Sequence, residues 1–172
     1  MIILGFDTAI RTSGYGVIKI ESFNKVSVLD CGIIKNTQKM RHSECLRRIM
    51  GGMKELIKEY SPDEVVLEDA FYSKNVKTAM ILSLARGVVI GTAAELDLPV
   101  YTYAPKTAKK AVVGTGAGSK EQVAMMLSQI LKINIKDIPL DATDALSLAI
   151  CHGQKRIVSG NSLLEEHLTK RI

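Results

Sequence analysis

Tryptophan is absent from the 172 residues, and aromatic residues make up only 5% of them. A core must therefore be built from Ile, Leu, Val and Ala. Cysteine is scarce: Cys31, Cys45 and Cys151 stand far apart, without a CxxC pair. An odd, scattered set suits a reducing compartment and excludes a disulfide framework, leaving small buried thiols. The histidines His42, His152 and His167 lack metal-ligand spacing, so a Cys/His zinc site is also excluded. No uninterrupted apolar run reaches the roughly 18–20 residues of a membrane span. The nearest stretch, Ala79 to Leu98, is broken by Arg86 and Glu95 and is expected as a buried helix. Met1 leads directly into an apolar strand, with no signal-type stretch, so the expectation is a cytoplasmic protein with no membrane partner.

Internal repeats, low-complexity tracts and linkers are missing too, and the length suits one domain with a substantial core. The expected division is a domain over 1–157 and a partly ordered tail over 158–172. Apolar residues at 47% and charged residues at 24% are ordinary for a globular chain. The 23 basic and 18 acidic residues leave +5, which permits nucleic-acid binding without establishing it. Between Tyr101 and Lys120 lie Lys106, Lys109, Lys110 and Lys120 and no acid. Charge alone fits a solvated face as well as a phosphate-binding one.

Ile2 to Phe6 is an apolar run suited to a strand buried on both faces, and it ends at Asp7. Gly14–Ile20 and Lys25–Lys35 follow as strands, turning around Ser22 to Asn24. Arg41 to Tyr60 has helical spacing in Cys45, Ile49, Met53, Leu56 and Ile57, and stops before Ser61-Pro62. Glu64–Glu68 is a fourth strand, again apolar and again ending in a carboxylate. A long helix over Val76–Leu96 precedes a strand over Val100–Tyr103 and a short helix near Thr107–Val112. After the loop Gly114 to Gly118, Ser119 caps a helix to about Leu131, with Gln122 at capping-box spacing. Pro139 precedes a last helix near Asp141–Ile157. Three consecutive strands predict an antiparallel meander, and the later strand–helix–strand passage predicts parallel neighbours. The fold class is α/β: a five-stranded mixed sheet with helices on both faces.

The acids fall in an informative pattern. Asp7 and Glu68 each end an apolar strand, while Asp141 and Asp144 sit at a helix start. Carboxylates converging on one place need cations, and an all-oxygen set favours Mg²⁺ or Mn²⁺. Each acid also has a plain reading. Asp141 can be an N-cap with Asp144 at its capping-box position, Glu68 and Asp69 can face water, and Asp7 can open an Asx-turn.

Taken together, these residues resemble the RuvC family of crossover-junction endodeoxyribonucleases, from Ile2 to about His152. The matching stretches are Ile3-Leu4-Gly5-Phe6-Asp7, Ser13-Gly14-Tyr15-Gly16-Val17 and Leu67-Glu68 with Phe71 and Lys74-Asn75. Ala85-Arg86-Gly87, Val112-Val113-Gly114, Lys120-Glu121-Gln122-Val123 and Asp141-Ala142-Thr143-Asp144-Ala145 complete them. The resemblance implies an RNase H-like fold, with the family's acidic tetrad on Asp7, Glu68, Asp141 and Asp144 as catalytic metal ligands. It puts DNA-binding lysines on Lys109 and Lys120, and an aromatic near the crossover on Phe71. One departure is Thr8-Ala9, where the family usually has Pro-Gly after the first Asp, which puts that loop's DNA contact in doubt.

The resemblance further implies hydrolysis with two Mg²⁺, or Mn²⁺ as a substitute, leaving 5′-phosphate and 3′-hydroxyl ends. The substrate would be the four-way junction DNA of homologous recombination and DNA repair, cut by paired symmetric nicks. A homodimer suits the junction's two-fold symmetry. The small-residue stripe Gly87, Gly91 and Ala94 allows close helix approach, or else packing on the chain's own sheet. The expected partner is a branch-migration motor of a junction-binding tetramer and a ring ATPase. Rival readings are an RNase H for RNA–DNA hybrids, an actin-like ATPase for which the chain is too short, and a non-catalytic junction-binding module.

Overall fold

The computed structural model of the chain describes residues 1–69, 75–134, 138–161 and 170–171. Strand β1 (Ile2–Asp7) pairs antiparallel with β2 (Thr12–Ser22), which pairs antiparallel with β3 (Lys25–Lys35). On the other side of β1 come β4 (Glu64–Glu68) and β5 (Val100–Tyr103), both parallel. The meander and the parallel pair are thus both found, on a mixed sheet. A two-residue strand β6 (Lys170–Arg171) adds to the five, antiparallel to β5, so the order is β3-β2-β1-β4-β5-β6.

Alternation along β1 divides the core in two. Leu4 and Phe6 point to one face, where they meet Ile49 and Met53 of α1 (His42–Tyr60) and Ala85 and Val89 of α2 (Val76–Glu95). Ile3 points to the other, toward α3 (Pro105–Val113), α4 (Lys120–Leu131) and α5 (Leu140–Asn161). Helices on both faces follow from a central strand that is apolar at every buried position. Ser119 caps α4 as its sequence predicts: its Oγ accepts from the Gln122 amide at 3.2 Å, and Gln122 Oε1 accepts from the Ser119 amide at 2.9 Å. The thiols of Cys45 and Cys151 are free and buried, and that of Cys31 is half-buried.

Helix α5 crosses β1 and β2 where neither has a side chain to obstruct it. A Cβ on Gly5 would stand 2.2 Å from the Ala145 carbonyl oxygen, and one on Gly14 would stand 2.0 Å from that of Asp141. Real Cβ atoms do not approach so closely, and the atoms met are backbone, which cannot swing aside. Gly16 makes the same kind of room for Leu146. Glycine inside a strand weakens it and marks a close approach of another backbone.

Farther along α5, the buried His152 ties the helix to the sheet. Its Nε2 donates to the Glu64 carboxylate, its Nδ1 lies 2.7 Å from the Tyr103 hydroxyl, and Arg156 reaches Glu64 at 3.0 Å. Burial alone would raise the Glu64 pKa, but the His152 hydrogen bond and charge, with Arg156, hold it below the ordinary carboxylate value.

Helix α2 departs from the expectation of a buried helix. By length and composition it could cross a membrane, yet only 22% of its most apolar window is buried. Ala85, Val89, Thr92 and Ala93 face the core, while Val76, Met80 and Leu84 are 71%, 65% and 49% exposed. Nothing lies within 4 Å of a Cβ built on Gly87 or Gly91, so packing on the chain's own sheet does not explain the small-residue stripe.

The close seating of α5 makes Gly5→Ala costly, by about 1–3 kcal/mol or more as overpacking. Gly51→Ala is the control, because Gly51 lies within α1 with open space around it. There the substitution should stabilise by about 0.5–1 kcal/mol. Thermal unfolding followed by circular dichroism should give a lower Tm for Gly5→Ala and an equal or higher one for Gly51→Ala. A Gly5→Ala protein as stable as the parent would mean that α5 does not sit this close.

Candidate active site

Strand parity aims the first two acids at α5. Asp7 lies two residues beyond Gly5, and Glu68 lies two beyond Val66 and four beyond Glu64, all on the α5 side of adjacent parallel strands. Asp141 sits in the first turn of α5, one residue inside it rather than capping it, and Asp144 follows one turn later on the same face. Because the Asp141 carbonyl rests on Gly14, the partner of Asp7 across the β1–β2 ladder, that face lies beside Asp7.

The electrostatics record this convergence. Burial, then the charges of Asp144, Glu68 and Asp141, push the Asp7 carboxyl from its ordinary 3.8 to about 7, against the pull of Lys120. Burial and Asp144 also raise Glu68, opposed by Lys109 and Lys120. The plain readings of Glu68 and Asp141 thus give way to one repelling cluster. The turn after Asp7 is closed by Ser13, whose Oγ donates to the Ala9 carbonyl at 2.6 Å and accepts from the Ala9 amide at 3.2 Å.

Both lysines singled out from the sequence stand against these acids. The Ser119 cap sets Lys120 at the first position of α4, where its Nζ donates to Asp144 Oδ2 at 3.0 Å. That hydrogen bond and the charges of Asp144, Asp141 and Asp7 raise the Lys120 pKa. Lys109 is half-buried on α3, close enough to pull Glu68 downward. Lys106 and Lys110 are exposed on the same helix, so a basic flank borders the acidic centre. Phe71 lies outside the described residues.

A cleft of about 360 Å³ opens beside Asp7 and Glu68, lined also by Thr8, Leu82, Ser83 and Arg86. The Arg86 Nε donates to the Glu68 main-chain carbonyl at 3.4 Å. The donor set, four carboxylates and no sulfur or imidazole, is that of a hard divalent cation. Among the described residues no group of three or more His, Cys, Asp or Glu side chains forms a finished ligand cage. Asp144 is paired instead with the Lys120 ammonium at 3.0 Å.

The family model for "Crossover junction endodeoxyribonuclease RuvC" matches residues 3–152. Proteins of that description from Protochlamydia amoebophila and Chlorobaculum parvum are each 45% identical, over 92% and 88% of this chain and 94% and 80% of their own length. The solved structure of T. thermophilus RuvC in complex with a Holliday junction substrate superposes with a TM-score of 0.89 at 27% identity, covering 100% of this chain and 99% of that one. The yeast mitochondrial Holliday junction resolvase Ydc2 shares the fold, at 12% identity and a TM-score of 0.64, over 94% of this chain and 83% of its own. On the strength of a family match spanning residues 3–152 and of relatives 45% identical across most of both chains, this chain belongs to the RuvC family of crossover junction endodeoxyribonucleases.

Proposed function

We propose that this chain resolves four-way DNA junctions by hydrolysing phosphodiesters at the Asp7 cluster, in the cytoplasm, during homologous recombination and DNA repair. Nucleases of its family are metal-dependent. The observation that carries the reading is the Asp7 carboxyl, pushed up to about 7 by burial and three like charges, at the edge of a cleft that Arg86 lines and with Lys120 and Lys109 close to the acids. A group so placed is relieved by a bound cation or by a proton.

Asp7, Glu68, Asp141 and Asp144 are the residues proposed to hold two Mg²⁺, with Mn²⁺ as substitute. Metal bound there supplies neutralisation of the phosphate and activation of the attacking water. Asp7 belongs to the central strand and is the best placed to be shared. Lys120, once Asp144 turns away from it, is left with a free ammonium at the edge of the site, and Lys109 flanks Glu68. Both suit phosphate oxygens. Phe71 is proposed to stack on a base near the crossover. The products are 5′-phosphate and 3′-hydroxyl ends.

A homodimer would present two such sites to a two-fold junction and make paired, symmetric nicks. The support for it is the outer face of α2, where Val76, Met80 and Leu84 are exposed in line with Gly87 and Gly91. Large apolar side chains and small residues on one exposed stripe suit close packing against the same helix of a second copy. A branch-migration motor of a junction-binding tetramer and a ring ATPase is the partner proposed to deliver the junction.

Asp7→Asn keeps the side chain's size and removes one charge and one ligand. Cutting of a labelled four-way junction in Mg²⁺ should fall by orders of magnitude, while binding in EDTA should equal or exceed that of the parent. Glu68→Gln and Asp141→Asn should do the same. Near-parental cutting by Asp7→Asn would put the chemistry elsewhere. For the dimer, Leu84→Glu should sediment as a monomer where the parent sediments as a dimer, with little change in Tm, and its two nicks should become uncoupled. A Leu84→Glu protein that is still dimeric would assign the interface to a different face.

A further inference from the structure

The charges of α2 are few: Lys77, Arg86 and Glu95 in twenty residues. Lys77 is exposed in the first turn, and Glu95 pairs with Lys54 of α1 at 2.8 Å. Arg86 differs from both, being a half-buried cation in mid-helix, flanked by Ala85 and Gly87. A partly desolvated cation is costly unless it is partnered. Among the described residues its one hydrogen-bond partner is the Glu68 carbonyl at 3.4 Å, near the limit of such a bond, and no carboxylate forms an ion pair with it. A guanidinium carries five N–H donors in a rigid fork, so most of this one's capacity is unspent.

Arg86 also lines the cleft of about 360 Å³ that opens beside Asp7 and Glu68, with the Ser83 residue one turn away on the same wall. That volume falls within the range of small-ligand sites. We infer that this cleft is a binding subsite for the cut strand, in which Arg86 grips a phosphate neighbouring the one being hydrolysed. The inference rests on the proposed junction cutting and adds a residue to it. A fork of donors matches two phosphate oxygens at once. Its place in the cleft beside Asp7 and Glu68 puts the grip next to the acids, so holding one phosphate there would bring the next toward Asp7. On the α5 side Lys109 and Lys120 flank the acids. Arg86 approaches from the α2 side, so the strand would be held from both.

The test compares full-length Arg86→Gln and Arg86→Lys with the parent. Binding in EDTA is measured against salt on a labelled four-way junction and on a duplex of the same arms. Cutting is measured in Mg²⁺ at saturating junction, and Tm is recorded for each protein. Arg86→Gln should keep the parental Tm, lose about 0.9 from the slope of log K against log salt, and cut about tenfold more slowly or worse. Arg86→Lys should keep the slope and recover part of the cutting. A parental slope and rate in Arg86→Gln would overturn the inference. So would a lower Tm with the slope unchanged, which would make Arg86 a brace for β4. An altered cutting sequence at constant slope would also overturn it, in favour of a base contact. The slope is scored on duplex and junction alike, whereas the parent's preference for junction over duplex scores the resolvase reading separately.

Discussion

Helix α5 delivers two acids to the sheet, and it does so by lying on bare backbone. Gly5 and Gly14 leave no Cβ between the strands and the carbonyls of Ala145 and Asp141. An ordinary side chain at either place would lift the helix by the width of a methyl group. Asp141 and Asp144 would rise with it, away from Asp7 and Glu68. The Glu64–His152–Tyr103 contacts fix the same helix farther along, so its position is set at both ends of the crossing. Both glycines weaken their strands locally. The fold tolerates this because β1 is buried between two cores and paired on both sides.

Bringing four carboxylates together stores electrostatic repulsion, seen in the upward shifts of Asp7 and Glu68. Lys120 and Lys109 offset part of it, and both belong to the α3–α4 side, where the sequence carries lysines without acids. Arg86 adds a cation from α2, on the opposite side of the sheet. The acids are thus ringed by positive groups that a polyanion can also use. This is the economy expected of a nuclease: the groups that steady the acids also recruit the phosphates they act on.

Much of this was legible in the sequence. β3, β4 and β5 occupy the predicted residues because Asn36, Pro62, Asp69 and Pro99 bound them, and the Ser119 capping box starts α4 where it should. The acids could be picked out because an apolar strand that ends in a carboxylate is unusual, twice over. Less legible was what depends on distant parts of the chain. Gly5 and Gly14 were visible as residues, and a glycine within a strand was a usable signal, but nothing local says which backbone comes near. His152 lacks metal-ligand spacing, and its partner Glu64 lies 88 residues earlier, so no local pattern marks the pair. α2 looked like a core helix because it is apolar almost all round, and composition alone does not say which face is covered. β6 escaped notice because two residues carry no period.

The central claim is that Asp7, Glu68 and the start of α5 form one cation site. Anomalous diffraction from crystals grown with Mn²⁺ tests it most directly. The account predicts Mn²⁺ within about 2.0–2.5 Å of carboxylate oxygens of Asp7 and of Asp141 or Asp144. In that structure Asp144 has turned away from Lys120, and the α5 backbone has not moved. Strong Mn²⁺ peaks confined to surface acids, with none at coordinating distance from Asp7, would contradict it.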